Sequence, residues 1–187
     1  GIKGQYEEAL RIIQLFNLEG KIPLFIGADK NYEEIAPTIN QEEFDGKPAV
    51  DFIIQEAMKV RDEKLILVPI GKLTNIALAI LKEPKIIDKI RVVWLGGNYP
   101  APGEYNLVND ISSVNPVIES GVDFEMVTVR YGKPSGTDAV RVTPAEVNTF
   151  LKGKGPVSRH TITGRHGGDF NNFGNYAENL FSHSKMH

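Results

Sequence analysis

The stretch Val92-Val93-Trp94-Leu95-Gly96-Gly97-Asn98-Tyr99-Pro100-Ala101-Pro102-Gly103-Glu104-Tyr105-Asn106-Leu107-Val108-Asn109-Asp110 decides the fold. An apolar run ends at a Gly pair, and a loop with almost no apolar content follows. A buried parallel strand delivers polar side chains to the mouth of an open α/β sheet in this way. The loop carries Asn98, Glu104, Asn106, Asn109 and Asp110. Carboxamides and a carboxylate suit a polyhydroxylated ligand such as a sugar, because each hydroxyl both donates and accepts. The same Gly, Pro and Asn content also fits a solvated turn.

Working outward, the periodicity predicts alternating elements. Helices are expected over Gln5–Leu18, Pro48–Val60, Gly71–Leu81, Ile111–Ser120 and Val142–Leu151. Pro48 and Pro84 bracket two of them, and Thr143-Pro144-Ala145-Glu146 forms a capping signature. Strands are expected over Lys21–Gly27, Leu65–Ile70, Ile90–Leu95 and Phe124–Val129, with Asp29–Asp45 irregular. Strands alternating with helices imply an α/β fold, an open and mostly parallel sheet with helices on both faces and a Rossmann-like core. Its ligand crevice lies outside the carboxyl ends of the strands. Three segments fall there: Pro69–Asn75, the Gly96–Asp110 loop and Thr128–Lys133.

The 187 residues, 41% of them hydrophobic, suit one domain with a sizeable core. Gly1-Ile2-Lys3-Gly4 starts without an initiator Met or signal-peptide pattern, and Ser182–His187 stops without a closing element. The reading is therefore a single α/β domain over 1–187, expected to be incomplete at both ends, with 152–187 irregular, as a lid or a peripheral segment. A formal charge of −3 without a basic stripe argues against a nucleic-acid partner. The absence of cysteine removes disulfides, thiolate ligands and a thiol nucleophile. No apolar run approaches the ~20 residues of a membrane span. Neither a G-x-S-x-G elbow nor a P-loop is present, so two common α/β chemistries lack support.

Four motifs in order resemble the inosine–uridine-preferring nucleoside hydrolase family. Val68–Ile80 (V-P-I-G-K-L-T-N-I-A-L-A-I) is similar to its strand-to-helix turn. Trp94–Gly97 (W-L-G-G) followed by Gly103–Asp110 (G-E-Y-N-L-V-N-D) resembles its Gly-Gly and E-F-N pair. Glu8–Phe16 followed by Ile22–Ala28 resembles its early helix and strand, and Phe44–Ala57 resembles the segment leading into a peripheral helix. The resemblance runs from about Gly4 to about Val142. It implies hydrolysis of the N-glycosidic bond of ribonucleosides to base and ribose. It also implies a calcium ion that binds the ribose diol and a water, and a homodimer or homotetramer acting on a small-molecule ribonucleoside. Calcium accepts six to eight oxygen ligands with flexible geometry.

Residue by residue, the resemblance places Asn98, Glu104 and Asn106 on the ribose and the backbone carbonyl of Ile70 on the metal. Lys72, Ile111 and Gly4-Gln5 depart from the family pattern. The aspartate-rich segment that supplies most metal carboxylates and the catalytic base is absent from this sequence, so the base is unassigned. That absence supports an alternative, a non-catalytic ribose- or nucleoside-binding homologue. Among His160, His166, His183 and His187, His166 in the Gly-rich R-H-G-G-D-F is the candidate general acid. Asp110 is expected to cap the helix near Ile111, and Thr74 and Asn75 to satisfy the start of theirs. Phe173 and Tyr176 are expected in the core, with base stacking as the alternative. Arg130–Lys133 is expected to be a solvated corner.

Overall fold

The computed structural model describes residues 1–184. In chain order its elements are α1 (Ile2–Leu15), α2 (Tyr32–Ile35), α3 (Lys47–Ala57), β1 (Leu65–Leu67), α4 (Thr74–Lys82), β2 (Ile90–Leu95), α5 (Tyr105–Asn109), α6 (Val114–Glu119), β3 (Asp123–Val127), α7 (Pro144–Glu146), β4 (Val157–Thr163), β5 (Asp169–Asn172) and α8 (Phe173–His183). The expectation was one domain. The contacts fall into two compact units, Phe25–Val140 and Gly1–Leu24 together with residues 141–184.

In the 25–140 unit, β1, β2 and β3 form a parallel sheet in that order, with Leu65 opposite Ile90 and Arg91 opposite Asp123. A parallel neighbour requires a crossover, and α4 and α6 lie in the two crossovers. Along β2, Ile90, Val92 and Trp94 are fully buried while Arg91 is exposed. That period of two directs one row of side chains into a core shared with Val50, Leu73, Leu78, Ile86 and Val117. The Trp94 indole donates to the Gly71 carbonyl at 2.8 Å, which ties β2 to the turn before α4. Gly96 follows directly: a Cβ there would stand 2.1 Å from the Trp94 ring. The apolar run ends in glycine because the indole fills that space.

In the other unit, α1 packs on the antiparallel hairpin β4–β5, and α8 follows β5. Leu15, Ile162 and the fully buried Tyr176 form its core, with Ile12, Phe170, Phe173 and Leu180 around them. The Tyr176 hydroxyl donates to Glu8 Oε1 at 2.6 Å. Most of the segment 157–183, expected to be irregular, is therefore regular secondary structure. Its aromatic residues pay for the backbone order by burial, with Phe173 and Tyr176 packed inside. Gly174 is fixed by packing, since a Cβ there would lie 1.7 Å from the Leu151 carbonyl.

Three further expectations are corrected. Lys21–Gly27 is not a strand: no described segment pairs with it, and Ile22, Phe25 and Ile26 are exposed. A strand is defined by its hydrogen-bonded neighbour, so an apolar run alone does not make one. Asp29–Asp45 contains a short helix, α2, started by a capping box between Asn31 and Glu34. The Val142–Leu151 helix is only α7 followed by a wider π-type turn over Val147–Leu151. No helix among the described residues is long and apolar enough to cross a membrane.

Candidate functional site

The site grows from the carboxyl ends of the three parallel strands. Beyond the strands the main chain continues to pair: Leu95 N–H donates to the Pro69 carbonyl, Gly96 N–H to Val127 and Val129 N–H to Gly97. These bonds bring Pro69–Ile70, Gly96–Asn98 and Val129–Arg130 to one edge, as the sequence topology required.

Glu104 organises the loop. It caps α5, its Oε1 accepting from Asn106 N–H at 2.8 Å and its Oε2 from Leu107 N–H at 2.9 Å and Gly97 N–H at 3.0 Å. The residue is only 8% exposed. An ionised carboxylate offers about four lone-pair positions, so three bonds leave one for a ligand. Asn106 lies beside it and donates from Nδ2 to the Leu95 carbonyl at 2.8 Å. Asn98 accepts at Oδ1 from Arg130 N–H at 3.1 Å. Each carboxamide therefore spends half of itself on the backbone. Among the described residues, Asn106 Oδ1 and Asn98 Nδ2 have no hydrogen-bond partner. The edge thus presents one acceptor, one donor and one carboxylate lone pair.

Asp110 has a different task from the one expected. It is 1% exposed and does not cap its own short helix. Its Oδ2 accepts from Tyr32 N–H at 2.9 Å and from the Thr74 hydroxyl, and its Oδ1 accepts from Ser112 Oγ at 2.5 Å. One carboxylate therefore joins the first turns of α2 and α4 to the end of the loop. Burial raises the pKa of the Tyr32 phenol above its ordinary value. Asn75 Oδ1 accepts from Ala28 N–H at 2.9 Å, so Thr74 and Asn75 are structural, but toward other segments rather than their own helix.

Two residues were missed as site builders. Lys72, read only as a departure, donates from Nζ to the carbonyls of Asp29 and Lys30 at 2.7 Å each. Arg130, read as part of a solvated corner, is half-buried and sits in the left-handed region at φ 61°. Both signals were visible as cations at strand ends, but sequence does not reveal what a long side chain reaches.

The histidines belong to the other unit. His166 lies in the β4–β5 turn and stacks on His183 with ring centroids 4.7 Å apart. His183 Nδ1 is 2.8 Å from the Asn179 carbonyl, which makes that nitrogen the protonated one. His160 is exposed on β4, and its N–H donates to Ser158 Oγ at 3.2 Å. His187 lies outside the described residues.

Residues 2–184 match the inosine-uridine preferring nucleoside hydrolase family. The chain belongs to this family. It is 34% identical over 112 residues to an inosine-uridine preferring nucleoside hydrolase of Leishmania major, covering 56% of this chain and 36% of that protein. It is 38% identical over 85 residues to the pyrimidine-specific ribonucleoside hydrolase RihB of Escherichia coli, covering 42% of this chain and 27% of that protein. The chain thus spans between 27% and 36% of the length of these two relatives. The crystal structure of an inosine-uridine preferring nucleoside hydrolase from Bacillus anthracis shares the fold. Its TM-score is 0.58 at 22% identity, over 81% of this chain and 58% of that one.

The described residues do not make a calcium site. Ile70, 74% exposed, offers one neutral carbonyl at the crevice edge. No group of three or more histidine, aspartate or glutamate side chains among the described residues is placed to hold a metal ion. The two buried carboxylates, Glu104 and Asp110, are committed to backbone and hydroxyl donors. A calcium ion needs six to eight oxygens with several charges among them.

Proposed function

We propose that the protein hydrolyses the N-glycosidic bond of ribonucleosides, releasing free base and ribose in nucleoside salvage, as a homodimer or homotetramer. Water adds to C1′ of the sugar, the bond from C1′ to the base nitrogen breaks, and the base leaves with the electron pair and takes up a proton. The observation that carries this reading is the polar edge at the end of β2. Asn98 Nδ2, Asn106 Oδ1 and the last lone pair of Glu104 are held by backbone bonds within a family-matched loop. Such prepositioned groups orient ribose hydroxyls without reorganisation during the reaction. Calcium remains part of the proposal as the ion that Ile70 O would help to hold. The described residues do not complete its shell, and no step is routed through it.

The alternative is a ribose- or nucleoside-binding homologue without catalysis. The commitment of both buried carboxylates favours it. Base release from inosine and uridine by the full-length protein, with added calcium and with chelator, separates the two. Hydrolysis predicts calcium-dependent base release that falls about a hundredfold in Asn106→Ala, the cost of a misplaced substrate. Nucleoside binding by calorimetry, with no base release under either condition, establishes the alternative instead.

A further inference from the structure

Lys72 is the departure from the family pattern that the proposed function leaves unused. Its ammonium has three N–H donors and no acceptor. Three oxygens of one turn lie within reach of Nζ: the carbonyls of Asp29 and Lys30 at 2.7 Å each and Asn31 Oδ1 at 3.5 Å. All three are neutral, two from the main chain and one from a carboxamide. They belong to consecutive residues, and the cation that fills them arrives from 41 to 43 residues later in the chain.

The turn is held by bonds that Lys72 does not make. Every N–H from Ala28 to Tyr32 has an acceptor of its own. Asn75 Oδ1 takes Ala28 at 2.9 Å, and Asp45 Oδ2 takes Asp29 at 3.0 Å and Lys30 at 2.8 Å. Glu34 Oε2 takes Asn31 at 3.0 Å, and Asp110 Oδ2 takes Tyr32 at 2.9 Å. Gly46 permits the close approach of the Asp45 segment, since a Cβ there would stand 2.6 Å from Ala28 N. The peptide group joining Asp29 to Lys30 therefore has the Asp45 carboxylate on its N–H and the Lys72 ammonium on its C=O. An anion at one end of an amide and a cation at the other polarise it, which strengthens its oxygen as a cation ligand.

The chemistry of the ligand follows from these oxygens. Calcium takes six to eight oxygens with several charges among them, and three neutral ones do not replace its water. A monovalent ion asks for less. Backbone carbonyls replace the hydration shell of potassium in potassium-selective pores. Potassium is also close in size to an ammonium group, so oxygens placed around one suit the other. Sodium is smaller and holds its water more tightly.

We infer that the Asp29–Asn31 turn is a monovalent-cation site of the potassium or ammonium class, occupied by Lys72 as a tethered ion. The tether gives the ammonium a high effective concentration at the oxygens, so the wild type needs no free ion. Loss of the Lys72 charge opens the site to potassium or ammonium from solution. The inference is independent of the nucleoside hydrolase reading. Its readouts are stability and amine reactivity rather than base release, so either can fail alone.

The test follows urea unfolding of the purified protein by far-UV circular dichroism, as wild type and Lys72→Met, in choline, sodium, potassium or ammonium chloride at one ionic strength. In choline chloride, Lys72→Met is expected to unfold about 1 M urea earlier than the wild type, the loss of one charge-assisted hydrogen bond. Potassium or ammonium restores about half of that loss by filling the vacated oxygens, and sodium restores less. The wild-type midpoint stays the same in all four salts to within about 0.3 M. Equal midpoints for Lys72→Met in choline and potassium overturn the inference, as does a greater gain in sodium than in potassium. A Lys72→Met midpoint equal to the wild type in choline, a wild type that responds to potassium as the variant does, or a variant that stays unfolded in potassium also overturns it. Acetic anhydride labelling of the wild type needs no variant. The Lys72 amine is expected to react about tenfold more slowly than that of the exposed Lys85, again one charge-assisted hydrogen bond. Equal labelling rates would show that the turn does not hold the ammonium.

Discussion

Replacing Glu104 tests whether the loop is held as described. Its carboxylate receives three backbone N–H groups, from Gly97, Asn106 and Leu107. Backbone donors cannot rotate to become acceptors. In Glu104→Gln the amide oxygen can keep Gly97 and Leu107, but its NH₂ then faces Asn106 N–H, donor against donor. That costs one charge-assisted bond, about 1.5–3 kcal/mol. Glu104→Ala loses all three: a helix cap worth about 1 kcal/mol and the buried Gly97 donor, about 1–3 kcal/mol more. The sum for alanine is roughly 3 kcal/mol. With a urea slope of about 2 kcal/mol/M, this lowers the unfolding midpoint by about 1.5 M, with glutamine between alanine and wild type. Far-UV circular dichroism of the purified protein through a urea series reads both. A midpoint for Glu104→Ala within about 0.3 M of wild type would show that the carboxylate does not hold the loop, well outside ordinary fitting error.

Asp110 gives the opposite pattern, because two of its three partners are hydroxyls. In Asp110→Asn the amide oxygen keeps Tyr32 N–H, and Ser112 Oγ can turn to accept from the new NH₂. The expected cost is about 1 kcal/mol, against roughly 3 kcal/mol for Asp110→Ala, measured in the same urea series. Equal losses in the two variants would sink the hydroxyl-reversal argument. Tyr176 sets an alkaline limit. Burial first, then the bond to the Glu8 carboxylate, raises its phenol above the ordinary 10.0, so the fold favours the protonated form. That contribution is whole below pH 10 and is lost as pH rises through the raised value. Melting temperature should fall steeply there in the wild type and less steeply in Tyr176→Phe; parallel profiles would refute the assignment.

Much of the fold was legible because local pattern and burial agree. The expected β2, Ile90–Leu95, matches the structure to the residue. Its core row, its exposed Arg91 and the Gly pair that ends it all point to one assignment. The helix after Gly71 begins at Thr74 rather than at once, since the intervening turn carries the Gly71 carbonyl bonded to Trp94. Lys21–Gly27 misled because strand identity resides in a partner that no local pattern specifies. The 152–184 segment misled because its Gly, Asn, Ser and His content reads as loop while its core residues are divided between a hairpin and a helix. At the candidate site, the loop that carries Asn98, Glu104 and Asn106 was legible from its place after a strand. Lys72 and Arg130 were not, because reach and partner are tertiary facts. Lys72 Nζ closes on carbonyls more than forty residues earlier in the chain.

The division of labour within the loop bears on what the site can do. Asn98 and Asn106 each give one half of a carboxamide to the backbone and keep the other for a ligand, so neither side chain must be ordered on binding. That lowers the entropic cost of holding a sugar and sharpens its position. The same economy limits the carboxylates. Glu104 and Asp110, the two buried acids among the described residues, already accept three bonds each. A calcium ion would find at most about one free lone-pair position on each, since the other three hold α2, α4 and α5 in place. The sugar-binding and metal-binding functions of the proposed reaction are therefore physically separable in this fold. In the proposed reaction neutral carboxamides would grip the ribose, and most of the charge that activates water would come from groups other than these two acids.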